Sequence, residues 1–142
     1  MRALLIAVAV LAFLAVSALL ARWLTTDNAE RAQVVRLLTA QARGDAPAML
    51  HELDGCDGAC AAQARANARR LRRGGPVQIV SYESATSHAL SSKSGPTRVV
   101  WKTPQTLTVV QCVEVRRSGN ALRGLDVALA GIGPARPRTA AC

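Results

Sequence analysis

The sequence predicts an α+β fold: an N-terminal transmembrane helix, then three helices, then a four-stranded antiparallel sheet. Three observations predict it. Residues 3–21 form one uncharged apolar run. Residues from about 28 to 73 place apolar side chains at helical spacing between glycine stops. Residues 77–129 then change to segments rich in β-branched side chains, separated by turn signals.

The apolar run starts after Met1 and Arg2 and holds neither Pro nor Gly; Ser17 is its one polar residue. Its nineteen residues span ~29 Å as a helix, close to the hydrocarbon thickness of a bilayer. Arg22 and Trp23 follow as an interfacial anchor would. This length favours an uncleaved, single-pass cell-membrane anchor over residues 1–24. The alternative is a signal peptide cut after Ala15-Val16-Ser17, which would leave a secreted protein. The positive-inside count sets Arg2 against Arg22, Arg31 and Arg36 and does not favour an outside body. The short N-terminal tail and the even number of cysteines point the other way, to a body in an oxidising, extracytoplasmic compartment.

Residues 25–132 suffice for one domain with one core. Thr25 to Asn28 reads as a polar break. Asp27 then offers an N-cap with Glu30 at capping-box spacing. Val34, Leu37, Leu38 and Ala42 make the apolar face of a helix from about 28 to 43, and Gly44 is its stop. Asp45 caps a second helix that buries Met49, Leu50 and Leu53. Arg43-Gly44-Asp45 spells an adhesion tripeptide, yet each of its residues already has a helix-boundary role. A third helix is expected over 59–73, ended by Gly74-Gly75-Pro76.

Strands are expected at Val77–Tyr82, Thr97–Lys102, Thr106–Arg117 and Leu122–Leu129. Ser94-Gly95-Pro96 and Ser118-Gly119-Asn120 supply turn signals. Leu107, Val109, Val113 and Val115 would share one face of the third strand, and Leu125, Val127 and Leu129 one face of the fourth. Residues 133–142, with Pro134 and Pro137, cannot be helix and form an extended tail.

Four cysteines allow three pairings. Cys56 and Cys60 are one helical turn apart, a bridgeable separation. Cys112 lies mid-strand on the face of Val110, and Cys142 ends a tail long enough to fold back. The expected bonds are therefore Cys56–Cys60 and Cys112–Cys142.

The segments Val34-Val35-Arg36-Leu37-Leu38 and Gly44-Asp45-Ala46-Pro47-Ala48-Met49-Leu50 resemble the opening of NTF2-like (cystatin-like) domains. There an amphipathic helix, a Gly-Asp turn and a second helix precede a curved sheet. The resemblance implies a cone with an open mouth. It implies no chemistry, because that fold hosts enzymes and non-enzymes alike.

No motif fixes a catalytic geometry. Tyr82, His88 and Trp101 are candidates to line a pocket, and Glu83 and Asp126 would add acid/base groups, but both read better as exposed strand charges. His51, Asp54, Cys56, Asp57 and Cys60 lack the ligand set of zinc or calcium sites, so no metal and no cofactor is expected. The formal net charge is +9, and Lys93 and Lys102 are the only lysines; the Arg-over-Lys ratio fits a GC-rich coding bias. Arg65, Arg69, Arg72 and Arg73 fall along one side of the third helix. They read either as a solvated face or as a stripe for anionic lipid or cell-wall polymer. Nucleic acid is not an expected partner, because stacking aromatics are lacking. The sequence thus reads as a membrane-anchored, extracytoplasmic binding or interaction module, open to a protein partner. Two alternatives come from other classes. A pilin-like subunit would carry an early Glu in the apolar run, which is missing here. A small lyase or isomerase would use the cone pocket.

Overall fold

In the computed structural model, which describes residues 2–87, 91–104, 106–120 and 124–142, the polar break expected at Thr25 does not form. One helix, α1, runs unbroken over Arg2–Arg43. The Thr25 hydroxyl donates to the Ala21 carbonyl and the Thr26 hydroxyl to the Arg22 carbonyl at 3.0 Å. Both hydroxyls are thus satisfied inside the helix and leave nothing to interrupt it. Asp27 and Glu30 consequently do not cap a helix start; their carboxylates turn to the sheet.

Among the described residues this is the one helix long and apolar enough to cross a membrane, with a mean hydropathy of 2.9 over its most apolar window. The body covers none of that window. Leu4, Leu11 and Phe13 are each about two-thirds exposed, a surface that water does not favour and lipid does. The C-terminal half of α1 is different. Val34, Leu37 and Leu38 are fully buried, the face that the helical spacing marks.

Gly44, at φ +76°, ends α1. α2 (Ala46–Glu52) begins where the Asp45 carboxylate accepts from the Ala48 N–H at 3.0 Å, and it buries Met49. α3 (Gly58–Arg70) buries Ala61, Ala64, Asn67 and Ala68. It stops three residues short of the expected Arg73. Leu71 drops into the core as its C-cap, and the Arg73 N–H donates to the Ala42 carbonyl at 2.8 Å. The chain is thereby tied to the end of α1 instead of continuing the helix.

Four antiparallel strands follow in the order β1-β2-β3-β4: β1 (Gln78–Ser84), β2 (Ser91–Lys102), β3 (Val109–Asn120) and β4 (Gly124–Ile132). β2 starts earlier than expected, because Gly95 and Pro96 pair with Val115 and Glu114 instead of turning. Proline is tolerated there because Pro96 lies one residue past the last β1–β2 pair, Ser84 with Thr97, where β2 is an edge. β3 starts later than expected, and Leu107 lies outside it, 83% exposed. The inward row of β3 is Gln111, Val113, Val115 and Arg117. In β4 the register shifts between Val115–Leu129 and Glu114–Gly131, leaving Ala130 as an extra residue. That bulge lets Leu129 and Ile132 both point into the core. Ser118, Gly119 and Asn120 remain paired with β4, and the turn itself, like Leu122, lies outside the described residues.

The helices cover one face of the sheet; the tail covers part of the other. Gly133 and Arg136 donate their N–H groups to the carbonyls of Cys112 and Val110, both at 2.8 Å. Disulfides join Cys112 to Cys142 and Cys56 to Cys60.

Candidate functional site

The helix face that buries Val34 carries one charge. Glu30 lies one turn before Val34 and is fully buried. Likewise Arg117 extends the alternating inward row of β3 by one position and is 1% exposed. The packing of α1 on the sheet brings these two charges together. Glu30 Oε2 accepts from Arg117 Nε at 2.9 Å and Nη2 at 2.6 Å, and from the Thr86 hydroxyl at 2.8 Å. Its Oε1 accepts from Tyr82 Oη at 2.6 Å and from the Thr97 hydroxyl at 3.2 Å. Asp27 Oδ1 accepts from Arg117 Nη2 as well.

Five donors around one carboxylate determine its protonation. Burial alone would push the Glu30 carboxyl up, but the hydrogen bonds from Tyr82, Arg117 and Thr86 outweigh it and hold the group below its ordinary value. Tyr82 is pushed well above the ordinary phenol value by burial and by its bond to Glu30. For Arg117, burial would lower the guanidinium, but hydrogen bonds to Asp27 and Glu30 and their charges raise it. All three groups are locked in single protonation states near neutrality. Glu30 has no lone pair left to take a proton from a substrate, and the phenol proton is already donated. Neither Glu30 nor Tyr82 is left free to move a proton.

Three members of this network, Asp27, Tyr82 and Arg117, line an open cleft of about 840 Å³, while Glu30 lies behind them. α1 contributes Asp27, Asn28 and Arg31; β1 and the turn after it contribute Tyr82 to Ser87 without Thr86. Pro96 and Arg98 of β2, Arg117 of β3 and residues 139–142 of the tail complete the lining. Arg31 stands 5.9 Å from the centre of the Tyr82 ring, a cation–π contact. Arg98 pairs with Glu83 at 3.1 Å and donates to the tail carbonyls of Ala140 and Arg138. The tail wall of the cleft is therefore held by a side chain as well as by the Cys112–Cys142 bond.

The residues singled out from the sequence scatter. Tyr82 lines the cleft. Trp101 does not: it is fully buried, and its indole N–H donates at 2.8 Å to Gln111 Oε1, which also accepts from Gln41 Nε2 at 2.8 Å. His88 lies outside the described residues. Glu83 and Asp126 sit on the two outer strands, so the structure does not bring them together. Asp54 pairs with Arg116. Among the described residues no group of three His, Cys, Asp or Glu side chains is placed to hold a metal. Arg65, Arg69, Arg72 and Arg73 are exposed, but the last two lie past the end of α3, so they do not continue its helical stripe.

Sequence reasoning took Glu30 for a cap and passed over Arg117. The available signal was periodicity: each is a charge standing where an apolar row predicts a buried side chain. No family model matches the chain, and neither a curated protein nor a solved structure matches it.

Proposed function

We propose that this chain is a single-pass, membrane-tethered module whose body lies on the extracytoplasmic side and binds a ligand in the cleft lined by Asp27, Tyr82 and Arg117. The observation that carries the reading is the position of the cleft. Its α1 residues, Asp27, Asn28 and Arg31, come directly after the uncovered apolar stretch, on the same unbroken helix. The two disulfides support an oxidising compartment. A packed amphipathic half-helix, a Gly-Asp turn, a short second helix and a meander sheet support an NTF2-like cone, with the cleft as its mouth.

The continuous helix also bears on the arginines. The Arg73 N–H bonds to the Ala42 carbonyl, and Ala42 stands ~31 Å beyond Ala21 along α1. Several Debye lengths of about 8 Å separate that height from the headgroups of the tethering membrane. A cell-wall polymer is the anionic partner this height supports for Arg65, Arg69, Arg72 and Arg73, ahead of lipid.

The test is a ligand search with the full chain in detergent. Lipid and small-molecule fractions of the cell envelope are added and the melting temperature is followed. The proposal expects at least one fraction to raise it, and expects Ser87→Trp, which fills the cleft, to abolish the rise. Failure of every fraction, or an unchanged rise in Ser87→Trp, contradicts it.

A further inference from the structure

The arginines of the body sort by place. Arg36, Arg98, Arg116 and Arg117 each hold a carboxylate. Arg43, Arg65, Arg69, Arg70, Arg72 and Arg73 hold none among the described residues, and all six are exposed. A coding bias would scatter arginines without regard to partners, whereas the fold gathers the unpaired ones. Residues 58–82 contain five arginines and no acidic side chain. The Arg73 N–H bonds to the Ala42 carbonyl, and the Arg72 stem lies against Gly44, where an added Cβ would meet Arg72 Cδ at 3.0 Å. Arg72 and Arg73 are thereby brought beside Arg43, and Arg65 and Arg69 lie one turn apart along α3. Asp45, next to Gly44, accepts from the Ala48 N–H at 3.0 Å and is in no ion pair among the described residues. α1 and α3 both end here, but their carbonyl ends carry roughly half a negative charge each, about one against six. The patch is left unneutralised by its own chain.

Height and chemistry narrow the partner. Arg43 stands ~33 Å beyond Ala21 along α1, several Debye lengths of about 8 Å from the tethering membrane. The headgroups of that membrane are out of reach. Nucleic-acid bases find no stacking platform, because Trp101 is buried and Tyr82 lines the cleft. Arg65, Arg69, Arg72 and Arg43 follow one another across the patch, and the first step is ~6 Å. A flexible chain with a charge on every repeat can track such a row. We infer that this membrane-distal patch binds a linear anionic polymer of the cell envelope, whose successive phosphate or carboxylate groups pair with the row. Guanidinium donates to either group through a fixed planar fork. The inference rests on the tether and the side proposed above. It adds Arg43 and Arg70 to the arginines assigned there, and it does not involve the cleft.

The experiment is binding of labelled poly(glycerol phosphate) and of labelled polygalacturonate to the full chain in nanodiscs of uncharged lipid, followed by fluorescence polarisation. At least one polymer should bind, and with four charge contacts its affinity should fall roughly 50-fold between about 50 and 200 mM salt. Arg65→Gln with Arg72→Gln should reduce that fall to roughly sevenfold. Arg136→Gln with Arg138→Gln removes the same charge from exposed positions outside the patch and should leave the fall unchanged. Melting temperatures check that both variants fold. No binding of either polymer at the lower salt overturns the inference. Equal losses in the two double variants also overturn it, since net charge and not the patch would then be responsible. So does duplex DNA bound more than about tenfold tighter at equal charge concentration, which would make the patch a nucleic-acid site. Ser87→Trp, in the cleft, should bind the polymer like the wild type. If the polymers fail while envelope fractions still raise the melting temperature, the cleft reading stands and this inference falls. Protease added outside spheroplasts should digest the body; a protected body would refute the side, and with it the partner.

Discussion

Replacing Glu30 by Gln is the sharpest perturbation of this fold. The change keeps the size of the side chain and removes its charge. Arg117, 1% exposed, would then be left with Asp27 as its only carboxylate, and Asp27 is partly exposed. Breaking a buried ion pair from one side costs about 3–5 kcal/mol, because the remaining charge stays desolvated. A body of this size loses roughly 4 °C of melting temperature per kcal/mol. The expected drop is therefore about 12–20 °C, read from the near-ultraviolet signal of Trp101, which is packed in the core. Replacing both partners by Leu should cost less than either single change, since no unpaired charge remains. The pH dependence carries the same signature. Glu30 is held below its ordinary value of 4.5, so its contribution is complete above that value and disappears as pH falls through the lower, folded one. The wild type should lose stability below about pH 4.5, and Glu30→Gln should lose correspondingly less. A melting temperature within about 4 °C of wild type for Glu30→Gln, a shift worth only ~1 kcal/mol, would refute the reasoning.

Three further outcomes are expected. Cys112→Ala with Cys142→Ala opens a loop with a sequence separation of 30; chain entropy assigns that bond about 4 kcal/mol, against about 2 kcal/mol for Cys56–Cys60. Thermal melts should show the first pair of changes costing more. Gly119→Ala should lower the melting temperature by several degrees, because the added Cβ would lie 2.3 Å from the Gly124 carbonyl oxygen at a φ of +105°. Changing Arg65, Arg69, Arg72 and Arg73 together to Gln should leave the melting temperature nearly unchanged, since exposed charges contribute little to stability. If it falls by more than a few degrees, these side chains have a packing role that their exposure does not indicate.

Where the fold was legible, one residue type carried one signal. Val34, Leu37 and Leu38 repeat at helical spacing and are buried; Gly44 and Asp45 mark a boundary and form one. Legibility failed where a residue has two uses. Asp27 and Glu30 match a capping box, but the same carboxylates also match a buried arginine ninety residues away in the chain, and tertiary contact decided between them. Thr25 and Thr26 look like a break and instead bond back into the helix. Gly95 and Pro96 look like a turn, yet they lie where the neighbouring strand has already ended. The cleft was visible only through the neighbours Tyr82 and Glu83, because its other members come from α1, three strands and the tail, and their meeting is a property of packing.

The central claim is that α1 passes unbroken from the apolar run into the core and so fixes the height of the cleft above the bilayer. The distance between spin labels at Leu14 and Ala32, both exposed on α1, tests it with the full chain in nanodiscs. These positions are eighteen residues apart, five helical turns, and an unbroken helix separates them by ~27 Å. The account predicts one narrow distribution at that value. A broad or clearly shorter one would place a hinge at Thr25–Asn28 and free the cleft from the membrane surface.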